Sequence, residues 1–185
     1  METSDFVLLT YSAFSNKISG KTMLQKKVYF TGVLSGKIET LKYKPHYYGP
    51  YSSEVDHANN ELKSFGYIEE TTSTWGISPS GFENIKYDFK LTEVGIKIAE
   101  KKKKEFPGEW TQIKHAVEKI ANAGDISYIS LSVAAKAYYI LTQREGKMSL
   151  KEIKEIAKKF GWNLQENELT NAIKFLEETN LASRA

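Results

Sequence analysis

The sequence predicts an α+β protein that is mainly helical, and two observations support this fold class. Much of the chain consists of stretches whose apolar side chains recur every three or four positions, the period of a helix with one buried face. Residues 84–91 instead alternate polar and apolar side chains throughout, as a half-buried β-strand does. The preceding segment Tyr67–Thr72 provides a second strand, so we expect an antiparallel hairpin.

Three helices are predicted before this hairpin, over Asp5–Asn16, Thr22–Leu34 and Ser53–Phe65. We expect Ser52 or Ser53 to cap the third helix and Gly66 to end it, because serine accepts from free N–H groups and glycine tolerates the backbone that follows a helix. Three helices followed by two strands is the order of a winged helix-turn-helix. The sequence therefore predicts an N-terminal winged-helix domain over residues 1–106.

The rest of the chain predicts further helices and a second unit. Thr92 is expected to cap a helix, and Phe106-Pro107-Gly108 is the expected domain boundary. Beyond it, residues 146–150 (Gly-Lys-Met-Ser-Leu) repeat the pattern of residues 20–24 (Gly-Lys-Thr-Met-Leu), and two short helices follow. We therefore predict a helical C-terminal domain over residues 107–185 that contains a wingless helix-turn-helix-like repeat.

The segment His46-Tyr47-Tyr48-Gly49-Pro50-Tyr51 is the most distinctive stretch of the sequence. Gly49 and Pro50 predict a tight turn, because glycine permits unusual backbone angles and proline fixes φ. Two interpretations of its tyrosines stay open. Tyr47 or Tyr48 packs beneath the turn, which is the common structural arrangement, or an exposed cluster of tyrosines contacts a partner.

Together, residues 21–30, the Tyr-Gly-Pro turn and residues 89–95 resemble the YwgA-like family of uncharacterised bacterial and archaeal proteins. More distantly, they resemble the Panacea domain of SocA-like antitoxins. The resemblance extends over Asp5–Glu105 and implies a winged-helix fold with a regulatory or partner-binding role. Lys27 departs from the family pattern, which has an apolar residue there, so Lys26 and Lys27 are expected either to disturb packing or to form an exposed basic face.

Composition indicates a globular protein of the cytoplasm. Hydrophobic residues make up 41% and charged residues 26% of the chain, and no apolar run reaches the length of a membrane span. The absence of cysteine excludes disulfides and thiolate ligands. Histidines 46, 57 and 115 lack the spacing of metal ligands, and Gly20-Lys21-Thr22 lacks the rest of a phosphate-binding loop. We therefore expect no enzyme activity, cofactor, metal or membrane partner, and no oligomeric state is predicted.

Charge is distributed unevenly, although the net charge is only +3. Residues 16–46 contain seven lysines and a single acid, whereas residues 54–70 contain five acids and a single lysine. The predicted recognition helix therefore begins with acidic residues that repel phosphates. We predict that double-stranded DNA, if bound, contacts lysines outside this helix (Lys21, Lys26, Lys27, Lys42 and Lys44). The alternative is an antitoxin- or adaptor-like module that binds a protein through Tyr47, Tyr48 and Tyr51.

Overall fold

The structure is a computed structural model that describes residues 1–77, 83–124, 127–143 and 148–182. Within these ranges it contains eight α-helices, one 3₁₀ helix and three strands: α1 (Thr3–Ala13), β1 (Lys17–Ser19), α2 (Lys21–Leu34), the 3₁₀ helix (Ile38–Leu41), α3 (Ser53–Ser64), β2 (Ile68–Ile77), β3 (Glu83–Leu91), α4 (Glu93–Glu105), α5 (Pro107–Asn122), α6 (Tyr128–Leu141), α7 (Leu150–Lys159) and α8 (Glu166–Glu178). The protein is thus α+β and mainly helical.

The strands form one antiparallel sheet with the order β1-β3-β2. The predicted hairpin is confirmed, with Thr71 opposite Asp88 and Ile68 opposite Leu91. The short strand β1 was not predicted from the sequence; its residue Ile18 pairs with Phe89 and is buried. The order of α1, β1, α2, α3, β2 and β3 is compatible with a winged-helix-like layout.

Helix ends follow local capping chemistry. The Ser52 hydroxyl accepts a hydrogen bond from Val55 N at the start of α3, and Thr92 does the same for Gly95 N at the start of α4. The first helix ends at Ala13, three residues before the predicted end, because Ser15 and Asn16 take positive φ values of 56° and 64°. The predicted boundary at Phe106 lies between α4 and α5, where a single residue separates the two helices.

Two hydrophobic clusters form the core, and α2 belongs to both. Leu24 and Val28 pack with α1, α3 and the sheet, whereas Tyr29 and Phe30 pack with α6, α7 and α8. Buried on both sides, α2 carries almost no solvent-exposed face along its middle turns. It therefore joins the first and second halves of the described chain. The predicted repeat begins at Gly146 and Lys147, which lie outside the described residues.

Candidate functional site

The Tyr-Gly-Pro turn, residues 46–51, lies against α2 and leads directly into α3. Gln25 on α2 holds the residue that follows the turn through both ends of its side-chain amide. Its Nε2 donates to Ser52 O and its Oε1 accepts from Ser52 N, both at 3.0 Å. The Ser52 hydroxyl in turn donates to Leu41 O while it caps α3. This network fixes the position at which α3 begins.

Lys26 supports the turn from inside the protein. Its side chain is only 2% exposed, and Nζ donates a hydrogen bond of 2.6 Å to Pro50 O. Burial, together with a smaller effect of the nearby positive charge of Lys136, lowers the pKa of Lys26 to about 7. The expectation that Lys26 belongs to an exposed basic face is therefore wrong, since the Pro50 carbonyl binds its ammonium group beneath the turn.

Gly49 is required where the turn passes between two lysines. Its φ is +100°, in the region that favours glycine, and its N–H donates to His46 O at 2.9 Å. A Cβ at this position would lie 3.0 Å from Lys136 Cγ and 3.3 Å from Lys26 Nζ. A side chain here would therefore strain the backbone and also crowd both lysines.

The C-terminal half of the chain also holds the turn. The indole Nε1 of Trp162 donates to His46 O at 2.7 Å, joining residues that are 116 positions apart. Trp162 is 1% exposed and stacks on Phe160, with ring centroids 4.9 Å apart. The turn is thus fixed on one side by α2 and on the other by the segment that follows α7.

Tyr47 and Tyr48 point into solvent, with exposed fractions of 71% and 60%. Their rings meet edge to face with centroids 4.9 Å apart. Tyr51 differs, because it is half-buried beside His46 and hydrogen-bonds to Asp56, which together with burial raises its pKa. The interpretation that Tyr47 or Tyr48 packs beneath the turn is therefore wrong, because Lys26 occupies the space under Pro50.

A cleft of about 350 Å³ opens beside the turn, between α2, α3 and the sheet. Its lining includes Lys26, Tyr48, Tyr51, Asn59, Lys63 and Glu70. The carboxylate of Glu70 forms an ion pair with Lys63, and Asn59 Oδ1 accepts a 2.8 Å hydrogen bond from the buried Tyr11 hydroxyl. Burial raises the pKa of Tyr11, with a further contribution from the Glu70 charge. Both acids that line the cleft, Asp56 and Glu70, therefore already have partners.

The structure does not unite the other four predicted lysines on one open face. Exposed Lys21 lies 4.0 Å above the Tyr87 ring, and half-buried Lys27 lies 4.1 Å above the Phe14 ring. Burial lowers the pKa of Lys27. Lys42 forms an ion pair of 3.3 Å with Glu54, the acid at the start of α3. Lys44 is exposed, and its backbone pairs with that of Tyr51 in an isolated β-bridge.

Four residues of this site were not predicted from the sequence: Gln25, Asn59, Lys136 and Trp162. Gln25 and Lys26 belong to the polar run 25–27 of α2, which has apolar residues on either side, and nothing local distinguishes its two buried members from half-buried Lys27. No local pattern identifies Lys136 or Trp162, because both reach the turn from the other half of the chain.

Two further properties of the described residues bear on chemistry. No cluster of three or more His, Asp or Glu side chains in this part of the chain has a geometry suited to a metal ion. Within the same residues, no helix combines the length and the apolar character that crossing a membrane demands.

Part of the chain matches the sequence of a known protein. It is similar to YwgA. The "Uncharacterized protein YwgA" of Bacillus subtilis (strain 168) is 33% identical to it over 81 residues, which are 44% of this chain and 45% of that protein. The match confirms the resemblance to YwgA-like proteins over that length, and the chain spans less than half of this relative. No protein-family model matches the chain.

Proposed function

We propose that this chain is a non-enzymatic regulatory protein that binds another protein through its Tyr-Gly-Pro turn. In this proposal residues 1–106 form a winged-helix domain and residues 107–185 a helical domain, in which α7 and α8 repeat the arrangement of α2 and α3. Element order supports the first assignment. Short amphipathic α7 and α8, joined by a turn at Gly161, support the second.

The exposed pair Tyr47–Tyr48 carries the proposal. Two adjacent tyrosines offer a large apolar contact area with few rotatable bonds, and tyrosine is enriched among the residues that dominate protein interfaces. Here the backbone beneath them is held by Lys26, Gln25 and Trp162. A partner would therefore meet rings on a preorganised turn, which reduces the entropy lost on binding.

Site-specific photo-crosslinking in the native host tests the partner proposal. A photo-reactive amino acid at position 47 should give a discrete protein adduct that weakens when Tyr48 is replaced by alanine. The matched control places the same group at Gln112, an exposed position on α5. Equal adducts from both positions, or none from position 47, would contradict the proposal.

DNA binding is the second candidate, and the winged-helix-like order of elements favours it. Of the five predicted lysines, Lys21 and Lys44 are left to contact DNA. Lys26 is buried, Lys27 is half-buried over the Phe14 ring, and Lys42 is paired with Glu54. If duplex DNA binds, replacing Lys21 and Lys44 with alanine should flatten the log–log salt dependence by up to about 2 units, about 0.9 per phosphate contact. Replacing Glu54 and Asp56 should not weaken binding, because both acids repel phosphate. An unchanged salt slope in the lysine variant would exclude this mode.

A further inference from the structure

Lys26 and Lys136 form a pair of like charges beside Gly49. Both lie against Gly49, and the charge of Lys136 destabilises the ammonium form of Lys26. Burial lowers the pKa of Lys136 as well, and Glu168 attracts it through space. Within the described ranges, neither lysine has a carboxylate at ion-pair distance. The local electrostatics are thus unfavourable in a way that a bound anion would relieve.

Unused hydrogen-bond donors at the wall of the cleft also favour a bound anion. Lys26 uses one of its three ammonium donors, on Pro50 O, and is otherwise unpaired among the described residues. Asn59 is 3% exposed and accepts from Tyr11 through Oδ1, which leaves its Nδ2 donors without a partner in the described part of the chain. Both side chains line the same cleft. Buried donors with spare capacity are the groups that a ligand's acceptor oxygens satisfy.

The charges that line the cleft favour an anionic ligand. When Lys26 is protonated, three lysines line the cleft against two acids, and one positive charge is in excess (Lys21, Lys26 and Lys63; Asp56 and Glu70). Tyr48 and Tyr51 add ring surface beside the donors, and the volume of about 350 Å³ lies at the lower end for small-molecule sites. We propose that the cleft binds a small aromatic monocarboxylate, with its carboxylate on Lys26 and Asn59 and its ring against the two tyrosines.

Carboxylate binding in this cleft is coupled to proton uptake. Lys136 on α6 is the charged group that acts on Lys26, and the other titratable residues that line the cleft with it come from α2, the turn, α3 and β2 (Lys21, His46, Tyr51, Asp56, Lys63 and Glu70). The carboxylate favours the ammonium form, so the pKa of Lys26 rises from about 7 when the ligand binds. Affinity is therefore highest below pH 7 and falls as pH rises, by up to about one log unit per pH unit until the bound pKa is reached.

Benzoate and benzamide are matched probes, because they share a ring and differ in charge. Titrated calorimetrically against the full chain at pH 6.5, benzoate should bind at least about tenfold more tightly than benzamide, the smallest ratio expected for one hydrogen bond to a charged group. Between pH 7 and pH 9 benzoate stays ionised, yet its affinity should fall. Its binding enthalpy should also depend on the buffer, as proton uptake requires. Equal binding of both probes, no benzoate binding, or a constant affinity across this pH range would overturn the proposal.

Variants locate the site without relying on a single substitution. Lys26→Met should reduce benzoate affinity at least about tenfold and abolish its pH dependence. Asn59→Asp keeps the acceptor for Tyr11, removes the amide donors and adds a repelling charge, so it should also weaken binding. Lys97→Ala is the control: Lys97 is exposed on α4 and does not line the cleft, so this variant should bind benzoate normally. Unaltered affinity in a folded Lys26→Met or Asn59→Asp protein would overturn the assignment. The inference does not depend on partner binding, which Tyr47 tests separately.

Discussion

At the scale of single residues, the buried Lys26 makes the stability of the fold depend on pH. In the unfolded chain Lys26 has its ordinary pKa near 10.5, whereas in the folded protein the pKa is about 7. Between these values the unfolded state binds more protons than the folded state, so stability rises with pH. Below pH 7 Lys26 is protonated in both states, and the free-energy cost of burying its charge is present in full. The bond to Pro50 O survives deprotonation, because a neutral amine still donates.

We predict that stability increases between pH 7 and pH 9.5, with a slope of up to about 1.4 kcal/mol per pH unit from this one group. Chemical denaturation at several pH values measures the slope. In Lys26→Met the increase should be markedly smaller, because only Lys27 and Lys136, whose pKa values burial also lowers, still contribute to it. A parallel profile in the variant would show that other groups cause the pH dependence. The pH range stops at 9.5 because of Tyr11 and Tyr29. Their pKa values are raised in the folded protein, so above pH 10 they ionise more readily in the unfolded chain and reduce stability.

Gly49→Ala tests the close approach between the turn and the two lysines. The positive φ alone should cost about 1–2 kcal/mol, and contact with Lys136 Cγ at 3.0 Å adds to it. Gly36→Ala is the matched control, because Gly36 also has a positive φ, of 70°, but has nothing within 4 Å of its position for Cβ. Denaturation midpoints should show a larger loss for position 49. Equal losses would mean that Lys136 moves aside freely.

At the scale of elements, the start of α3 depends on a buried cap. Ser52→Ala removes the acceptor for Val55 N and the donor to Leu41 O at a residue with no solvent exposure. We predict a loss of about 2 kcal/mol or more in unfolding free energy, since the groups left behind have no water to replace serine. Ser149→Ala removes the exposed cap of α7 and should cost about 1 kcal/mol or less. A smaller loss at Ser52 than at Ser149 would contradict this account.

Elements were predictable where local chemistry decides them. The alternation in β3, the serine cap of α3 and the threonine cap of α4 all involve neighbours within a few residues. By contrast, Lys26-Lys27 has the local pattern of a solvated face, and a carbonyl 24 positions away determines the burial of Lys26. The exposure of Tyr47 and Tyr48 follows from the same contact. Local sequence therefore predicted the location of the site, whereas its chemistry depends on long-range partners that a single sequence does not show.

At the scale of the whole molecule, α2 makes the two halves mutually dependent. Tyr29 and Phe30 pack among α6, α7 and α8, and the Phe30 ring meets Phe175 with centroids 5.1 Å apart. A fragment ending at Phe106 would expose this surface to water. We predict that residues 1–106 alone lack cooperative unfolding or self-associate, which thermal melts and light scattering would detect. A monomeric fragment with a sharp melt would instead support an independent N-terminal domain.

The hydrogen bond between Trp162 and His46 determines when the turn can be completed during synthesis. As the chain leaves the ribosome, His46 emerges long before the indole that binds its carbonyl, with 116 positions between them. Contacts so distant in sequence form late, because the intervening chain must first be brought together. Lys136, which flanks Gly49, also arrives late. A nascent chain that stops before residue 162 lacks this support beneath both tyrosines, so the finished surface requires synthesis through Trp162.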